Sequence, residues 1–543
     1  MKIDPSLSAT FGEIRANHFH SGLDMRTGGE IGQPIYAPAD GYVSRIKVSP
    51  WGGGKTLYID HPNGFRTVYM HLNDFCDKIG EWVYNYQYSH HCFDFDTNIA
   101  PGLLPISQGQ VVAHSGNTGG SGGPHLHYEI RYAHNDQTIN AQLFGLHVPD
   151  GVPPVIKGIR IYPANRTTRI NGKNEPLELL TSQRIKGQKK PRPVTLSPTV
   201  DGAFFLGIHT TDQSESYHGN NGIYSIKLYI DGNLAYSYTM QTFRFEDTRA
   251  VNALMDYQHY CTHRQPYILT RSVPYMPATV AQLSNGDKTF YLSPGTHTLK
   301  YEVADFNGNK ASKSFTLKTP SNQQPNHQPK TPPPCRQDQI LQCDLYQLEV
   351  PAQALYTDDS VTLRLSGDQV TVMPTSEIGF TYPTPPHVSY TLRLPLLNAA
   401  NLTYHNPRQI LFLRLAGKKR IPLATQQCNE WLECHPRDFG TFILAVDTLP
   451  PTIHQPRNMV ATPGRTLVFR IGDDLSGVES YSCYLNGKWI LAEYDGKTSS
   501  ISICLPAGQQ AYGYPELQSS NNVLSIVLTD LCGNVTAKEF HLQ

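Results

Sequence analysis

The stretch that decides the fold is Tyr224-Ser225-Ile226-Lys227-Leu228-Tyr229-Ile230-Asp231-Gly232-Asn233-Leu234-Ala235-Tyr236-Ser237-Tyr238. Tyr224, Ile226, Leu228 and Ile230 alternate with Ser225, Lys227 and Tyr229. That period of two sends one set of side chains to a core and the other to water. Asp231-Gly232 interrupts the run where a two-residue hairpin needs positive φ, and Leu234, Tyr236 and Tyr238 resume the period beyond it. A β-hairpin follows.

The hairpin is repeated. Gly222-Ile223-Tyr224-Ser225 leads to Asp231-Gly232 as Gly477-Val478-Glu479-Ser480 leads, at the same spacing, to Asn486-Gly487. Upstream, Asp150-Gly151-Val152-Pro153-Pro154-Val155-Ile156 recurs as Asp447-Thr448-Leu449-Pro450-Pro451-Thr452-Ile453. Downstream, Asp305-Phe306-Asn307-Gly308-Asn309 with Lys313 and Phe315 recurs as Asp530-Leu531-Cys532-Gly533-Asn534 with Lys538 and Phe540. Matches in one order mark two copies of an Ig-like β-sandwich, over residues 150–318 and 447–543. The extra length of the first copy falls between its hairpin and Asp305. Residues 319–334 read as a Pro/Gln-rich linker. Residues 335–446 read as a β-rich domain of unassigned role, with strands at Thr362–Leu365 and Ile410–Leu413.

Composition agrees with this mostly-β reading. Charged residues are 17% of the 543, while Gly (43), Pro (41) and Tyr (31) are plentiful. That length calls for roughly three to five modules. Lys plus Arg equals Asp plus Glu at 45 each, so no basic surplus points to nucleic acid or an anionic membrane. No run of ~18 apolar residues offers a membrane span. The 10 cysteines form no CxxC pair. Cys335 with Cys343, and Cys428 with Cys434, are expected to close short-loop disulfides in an oxidising compartment. No signal peptide is visible after Met1-Lys2, so either the start is trimmed or misassigned or the protein is cytoplasmic, and the site chemistry below favours trimming.

Residues 1–149 hold the chemistry. Three motifs stand out: His20-Ser21-Gly22-Leu23-Asp24, Tyr69-Met70-His71-Leu72 and Pro124-His125-Leu126-His127-Tyr128-Glu129-Ile130. His125 and His127, at i and i+2 of a strand, face one space. His20 and Asp24 converge if Gly22 allows a tight bend. Two imidazoles and one carboxylate make three zinc ligands, leaving the fourth position open for water, whose pKa zinc lowers to roughly 7. The spare imidazoles of an HxH and of His71 are what a hydrolase needs as general base and as donor to an oxyanion. With 22 histidines in the chain, either motif alone is weak; the set in this order is specific.

The segment resembles the catalytic domain of lysostaphin-type (LytM-like) zinc endopeptidases, which cleave peptidoglycan peptides. The resemblance runs over about residues 11–145 and rests on FHSGLDMRT, GQPIYAPADGYVSRI, HPNGFRTVYMHL and GQVVAHSGNTGGSGGPHLHYEI. It implies His20, Asp24 and His127 as ligands to Zn2+, His125 as general base and His71 as stabiliser of the transition state. It also implies an antiparallel β core with zinc in a loop-lined groove. Glu81–Ser107, Tyr-rich and strand-like, is longer than the minimal domain requires and is expected to shape or cover that groove. His18 falls outside the ligand pattern. The implied partners are peptidoglycan peptide stems, with other envelope proteins docking on the β-sandwiches. The implied location is the cell envelope, periplasmic or exported.

Other readings remain open. A 2-His-1-carboxylate set also holds Fe(II) in oxygenases, though those read HxD and need an arginine for co-substrate. Gly119-Gly120-Ser121-Gly122-Gly123 satisfies GxSxG, yet the nucleophile elbow needs a helix after the serine, and a strand follows here. A catalytically silent scaffold that binds the wall and activates another hydrolase keeps the same residues.

Overall fold

A computed structural model of the chain describes residues 1, 5–183, 192–215, 217–284, 289–323, 337–356, 360–375, 384–396, 406–508 and 515–543. It is mostly β. The N-terminal region supplies β1 (Leu7–Ala9), β2 (Leu23–Arg26), β3 (Gly41–Val48), β4 (Lys55–Asp60) and β5 (Phe65–Leu72). Helix α1 (Asp77–His90), β6 (Phe95–Asn98), β7 (His125–Tyr132) and β8 (Thr138–Ile139) follow. Hydrogen bonds order the main sheet β1-β2-β7-β5-β4-β3-β6, with β8 paired to β7. Val43, Ile46, Leu57 and Ile59 are buried in one core with Ile35 and Val112 of a smaller sheet.

Glu81–Ser107 does not cover the groove. Tyr84, Tyr86 and Tyr88 mimic strand alternation, but the buried positions Ile79, Val83 and Gln87 fall four apart, and that spacing makes a helix. Past α1 the segment forms β6, which pairs with β3 at the sheet edge away from β2, β7 and β5.

The first sandwich follows as β9 (Val155–Pro163), β10 (Phe204–Ser214), β11 (Tyr217–Asn221), β12 (Ser225–Ile230), β13 (Asn233–Thr239), β14 (Thr242–Phe243), β15 (Gly295–Ala304) and β16 (Lys310–Thr319). One sheet contains β9, β10 and β11, and the other runs β13-β12-β15-β16. Asp231 (φ 50) and Gly232 (φ 83) make the expected hairpin turn. Leu234 departs from the pattern at 42% exposure. A bulge pairs Leu228 with Tyr236 but Tyr229 with Leu234, turning Leu234 off the core face.

The N-terminal region and this sandwich are sewn together. β14 pairs with β8, Thr138 opposite Phe243, and the Phe243 ring lies 5.1 Å from Phe11 and 5.5 Å from Phe19. Leu7, Phe11, Phe19 and Leu23 share one buried cluster with Ile226, Leu228 and Tyr236.

Residues 339–446 build a pair of five-stranded sheets around Leu348, Val372, Leu392, Phe412 and Phe442. Every described cysteine is unbridged. Cys428 stands opposite Trp431 and Cys434 opposite Thr425 in one hairpin. Rungs that far apart separate the Cα atoms by roughly 10 Å, beyond disulfide reach. Cys335 lies outside the described residues, as does the Pro/Gln-rich stretch from residue 324 onward.

The last sandwich contains β17 (Thr466–Gly472), β18 (Val478–Leu485), β19 (Asn522–Asp530) and β20 (Val535–Leu542). Its Asn486-Gly487 turn has φ of 51 and 81. The shared sequence makes a shared latch. Asn309 Nδ2 donates to the Asp150 carbonyl and the Asp305 carboxylate at 3.0 and 2.7 Å, and Asn534 Nδ2 to the Asp447 carbonyl and the Asp530 carboxylate at 3.1 and 2.9 Å. This sandwich folds back on the N-terminal region. Trp489 packs on Tyr88 and His91, Lys55 meets Glu493 at 3.1 Å, and Lys497 donates to the Asn117 carbonyl. Among the described residues no helix is long and apolar enough to cross a membrane.

Candidate active site

The β2–β7 ladder builds the site. Its register sets Asp24 directly opposite His127 and Arg26 opposite His125. Alternation along β7 puts His125, His127, Glu129 and Arg131 on one face. His20 arrives from the loop before β2, held by its own N–H on the Glu13 carbonyl at 2.9 Å and by Phe19 N–H on Thr248 Oγ1 at 2.7 Å. Gly22 matters there for space, not for a special bend. A Cβ on it would stand 2.4 Å from the Tyr128 carbonyl and 2.8 Å from His127 Nε2.

His20 Nε2, Asp24 Oδ1 and His127 Nδ1 meet in a triangle with sides of 2.9, 3.0 and 2.8 Å. All three residues are buried. Each donor has its other side occupied. His20 Nδ1 donates to the Thr10 carbonyl at 2.8 Å, His127 Nε2 contacts Glu129 Oε1 at 2.8 Å, and Arg15 Nη2 donates to Asp24 Oδ2 at 2.9 Å. Those partners select the tautomers whose remaining lone pairs face one point. Ser21 Oγ and Arg131 in turn fix Glu129.

His125 and His71 stand beside the triangle. His125 Nδ1 donates to the Gly123 carbonyl at 2.8 Å, and its Nε2 lies 3.5 Å from Asp24 Oδ1. The His71 ring is 4.8 Å from that of His125 and 6.0 Å from that of His127. His71 is delivered by a bulge. Lys55 pairs with Leu72 but Leu57 with Tyr69, so Met70 and His71 share one place on β5, and His71 takes a left-handed φ of 62. Its N–H donates to the Gly53 carbonyl at 2.7 Å and its Nδ1 to the Thr118 carbonyl at 2.8 Å.

Electrostatics follow from this crowding. Burial pushes His20 and His71 down to about 4. Burial also opposes charge on His127, but hydrogen bonds to Asp24 and Glu129 outweigh it and lift the ring to about 9. Burial works against the Asp24 carboxylate too, yet the surrounding imidazoles hold it far below the usual range.

All five residues singled out in sequence thus lie together. His18 lies outside, exposed, its Nδ1 donating to the Ala16 carbonyl. Ser121 precedes strand β7, not a helix, and its Oγ donates to the Gly123 carbonyl at 2.7 Å, so no nucleophile elbow exists. The glycine loop packs on a neighbouring loop, with Gly120 N–H on the Gly52 carbonyl at 2.8 Å. The supporting residues escaped the sequence. Glu129 and Arg131 were readable, since they extend the same period-2 face as His125 and His127. Arg15 and the Thr10 and Thr118 carbonyls carried no local signal.

Residues 18–88 match peptidase family M23. The N-terminal domain belongs to that family. The matched span holds His20, Asp24 and His71, and the β2–β7 ladder adds His125 and His127 to the M23 domain. Residues 333–447 match a Zu5-like domain. An uncharacterized metalloprotease of Haemophilus influenzae is 33% identical over 121 residues, 22% of this chain and 20% of that protein. The peptidoglycan DD-endopeptidase ShyA of Vibrio cholerae is 30% identical over 134 residues, 25% of each chain. These matches span a quarter or less of the relatives' length. A zinc-containing peptidase from Vibrio cholerae of solved structure is 26% identical, with 26% of this chain and 37% of that one covered at a TM-score of 0.20.

Proposed function

We propose that the chain is a zinc-dependent endopeptidase that hydrolyses peptide cross-links of bacterial peptidoglycan in the cell envelope, periplasmic or exported. The observation that carries this is the convergence of His20 Nε2, Asp24 Oδ1 and His127 Nδ1 beside two further imidazoles. Ligand atoms around a tetrahedral zinc with bonds of ~2.0–2.2 Å stand roughly 3.3 Å apart. The triangle need open by only a few tenths of an ångström. Two nitrogens and one carboxylate oxygen suit zinc, and the hydrogen-bonded far sides of all three are the outer support such ligands need. The peptidoglycan substrate is taken from the relatives' stated activity.

Zinc, when bound, polarises the scissile carbonyl and acidifies water. The rest belongs to the histidines. His125 Nδ1–H is committed to Gly123, so Nε2 is the free base that takes the water's proton and returns it to the leaving amine. His71 has the same tautomer, so its Nε2 donates to the oxyanion only after the ring takes up a second proton from solvent, returned when the oxyanion collapses. Burial resists that proton until negative charge develops on the substrate beside it, which couples the donor to the transition state.

The test is a muropeptide profile of purified sacculi digested with the full chain, with and without chelator, beside His125→Ala. Loss of cross-linked dimers only in the wild-type, chelator-free digest supports the reading. Intact dimers with zinc bound would put the silent-scaffold alternative first. Docking of the last sandwich on Lys55 and Asn117, next to the loops that hold His71, is the observation in that alternative's favour.

A further inference from the structure

A second cluster lies at the seam between the M23 domain and the first sandwich. Carboxylate oxygens of Asp150, Asp212 and Asp305 gather within 4.8 Å of one another. They line a partly open cavity of about 40 Å³ to which Thr10 and Phe11 of the N-terminal domain also contribute. Asp212 is 3% exposed, and its Oδ1 has no hydrogen-bond partner. Asn221 stands directly opposite Asp212 in the β10–β11 ladder and lines the same cavity. It is 5% exposed, and its Oδ1 is also without a partner. Among the described residues, none of the three acids is in an ion pair with Lys or Arg.

The repeated module supplies a control within the chain. Asp447, Asp473 and Asp530 form the equivalent cluster in the last sandwich. There the tight Asp473–Gly477 turn brings backbone donors: Leu475, Ser476 and Gly477 N–H reach Asp473 Oδ2 at 3.0, 2.8 and 2.9 Å. Ser476 N–H also reaches Asp447 Oδ2 at 3.0 Å. In the first copy that turn is replaced by the longer β10–β11 excursion, and an acceptor, Asn221, stands where Ser476 stands in the last. At two of its acids the first cluster keeps the same donors as the last, Val152 N–H on Asp150 Oδ1 at 2.9 Å and Asn309 on both oxygens of Asp305. Among the described residues the copies differ at the middle acid, where Asp212 lacks the three-N–H turn that cradles Asp473 Oδ2 and its Oδ1 has no partner.

We propose that Asp150, Asp212, Asp305 and Asn221 bind a divalent cation, calcium, that joins the first sandwich to the M23 domain. An all-oxygen set with several carboxylates and room for water favours calcium over zinc or copper. Without a cation, burial and repulsion from Asp150 and Asp305 push Asp212 up to about 7. The ion also bears on the active site. Thr10 Oγ1 donates to the Gly222 carbonyl at 3.2 Å, next to Asn221, and the Thr10 carbonyl is the partner of His20 Nδ1.

The test titrates CaCl2, with MgCl2 as comparison, into the zinc-loaded full chain by calorimetry and follows the melting temperature. Wild type is expected to bind calcium below about 10⁻³ M, the range of extracellular modules, and to melt higher with it. Asp212→Asn, isosteric and uncharged, is expected to remove one bound calcium and its melting shift while melting no lower than wild type in calcium-free buffer that holds zinc. Asp473→Asn is expected to leave that ion in place. Absence of saturable calcium binding in wild type, or unchanged calcium stoichiometry and affinity in Asp212→Asn, would overturn the proposal.

Discussion

Strands β7 and β5 flank one another, and each delivers histidine to the same space by a different device. On β7, unbroken alternation places His125, His127, Glu129 and Arg131 on one face. On β5, a bulge puts His71 in a left-handed conformation that a regular strand would never give it. The regular strand carries His127, the nitrogen we propose faces zinc, and the buried Glu129 carboxylate behind it. The irregular one carries an imidazole that stands off the triangle, held by the carbonyls of Gly53 and Thr118. On the proposed mechanism, regular structure makes the rigid part of the site, and a local irregularity aims the imidazole assigned to the oxyanion.

Mutations separate the two roles, in falling order of effect. His127→Ala or Asp24→Ala removes a proposed zinc ligand, and both metal content and sacculus digestion should drop to the level of chelator-treated wild type. His125→Ala should keep its zinc and lose roughly 10²- to 10⁴-fold in rate, the usual worth of a positioned acid–base. Equal loss of zinc in that variant would move His125 into the ligand set and erase the contrast. His71→Ala should also keep zinc and lose about 10²- to 10³-fold in kcat, as for one oxyanion donor. A rise in KM alone would demote His71 to substrate binding. Glu129→Gln, on the regular strand but behind the ligand, should weaken zinc roughly 10- to 100-fold, measured by chelator competition. With zinc saturating, its rate should recover.

The same contrast sets what the sequence discloses. Where local period decides structure, residues announce themselves. The Asp231-Gly232 and Asn486-Gly487 hairpins, the repeated module and the paired faces of β7 are all legible. Where tertiary context decides, they are not. Alternating Tyr84, Tyr86 and Tyr88 imitate a strand, yet Ile79 and Val83 need a helix to reach the core. Leu234 leaves its face through a bulge that no turn residue foretells. The cysteine spacing of Cys428 and Cys434 invites a disulfide until the hairpin register separates them. Arg15 and the Thr10 carbonyl support Asp24 and His20 from a segment shared with the first sandwich's core, so only the folded seam reveals them.

The most direct test of the account is the zinc position itself, by anomalous diffraction at the zinc edge from crystals of the metal-loaded full chain. The account predicts one zinc bonded at ~2.0–2.2 Å to His20 Nε2, Asp24 Oδ1 and His127 Nδ1, with His125 and His71 beyond bonding distance. Zinc held by His125 or His71 in place of His127, or absent from this triangle, would contradict it.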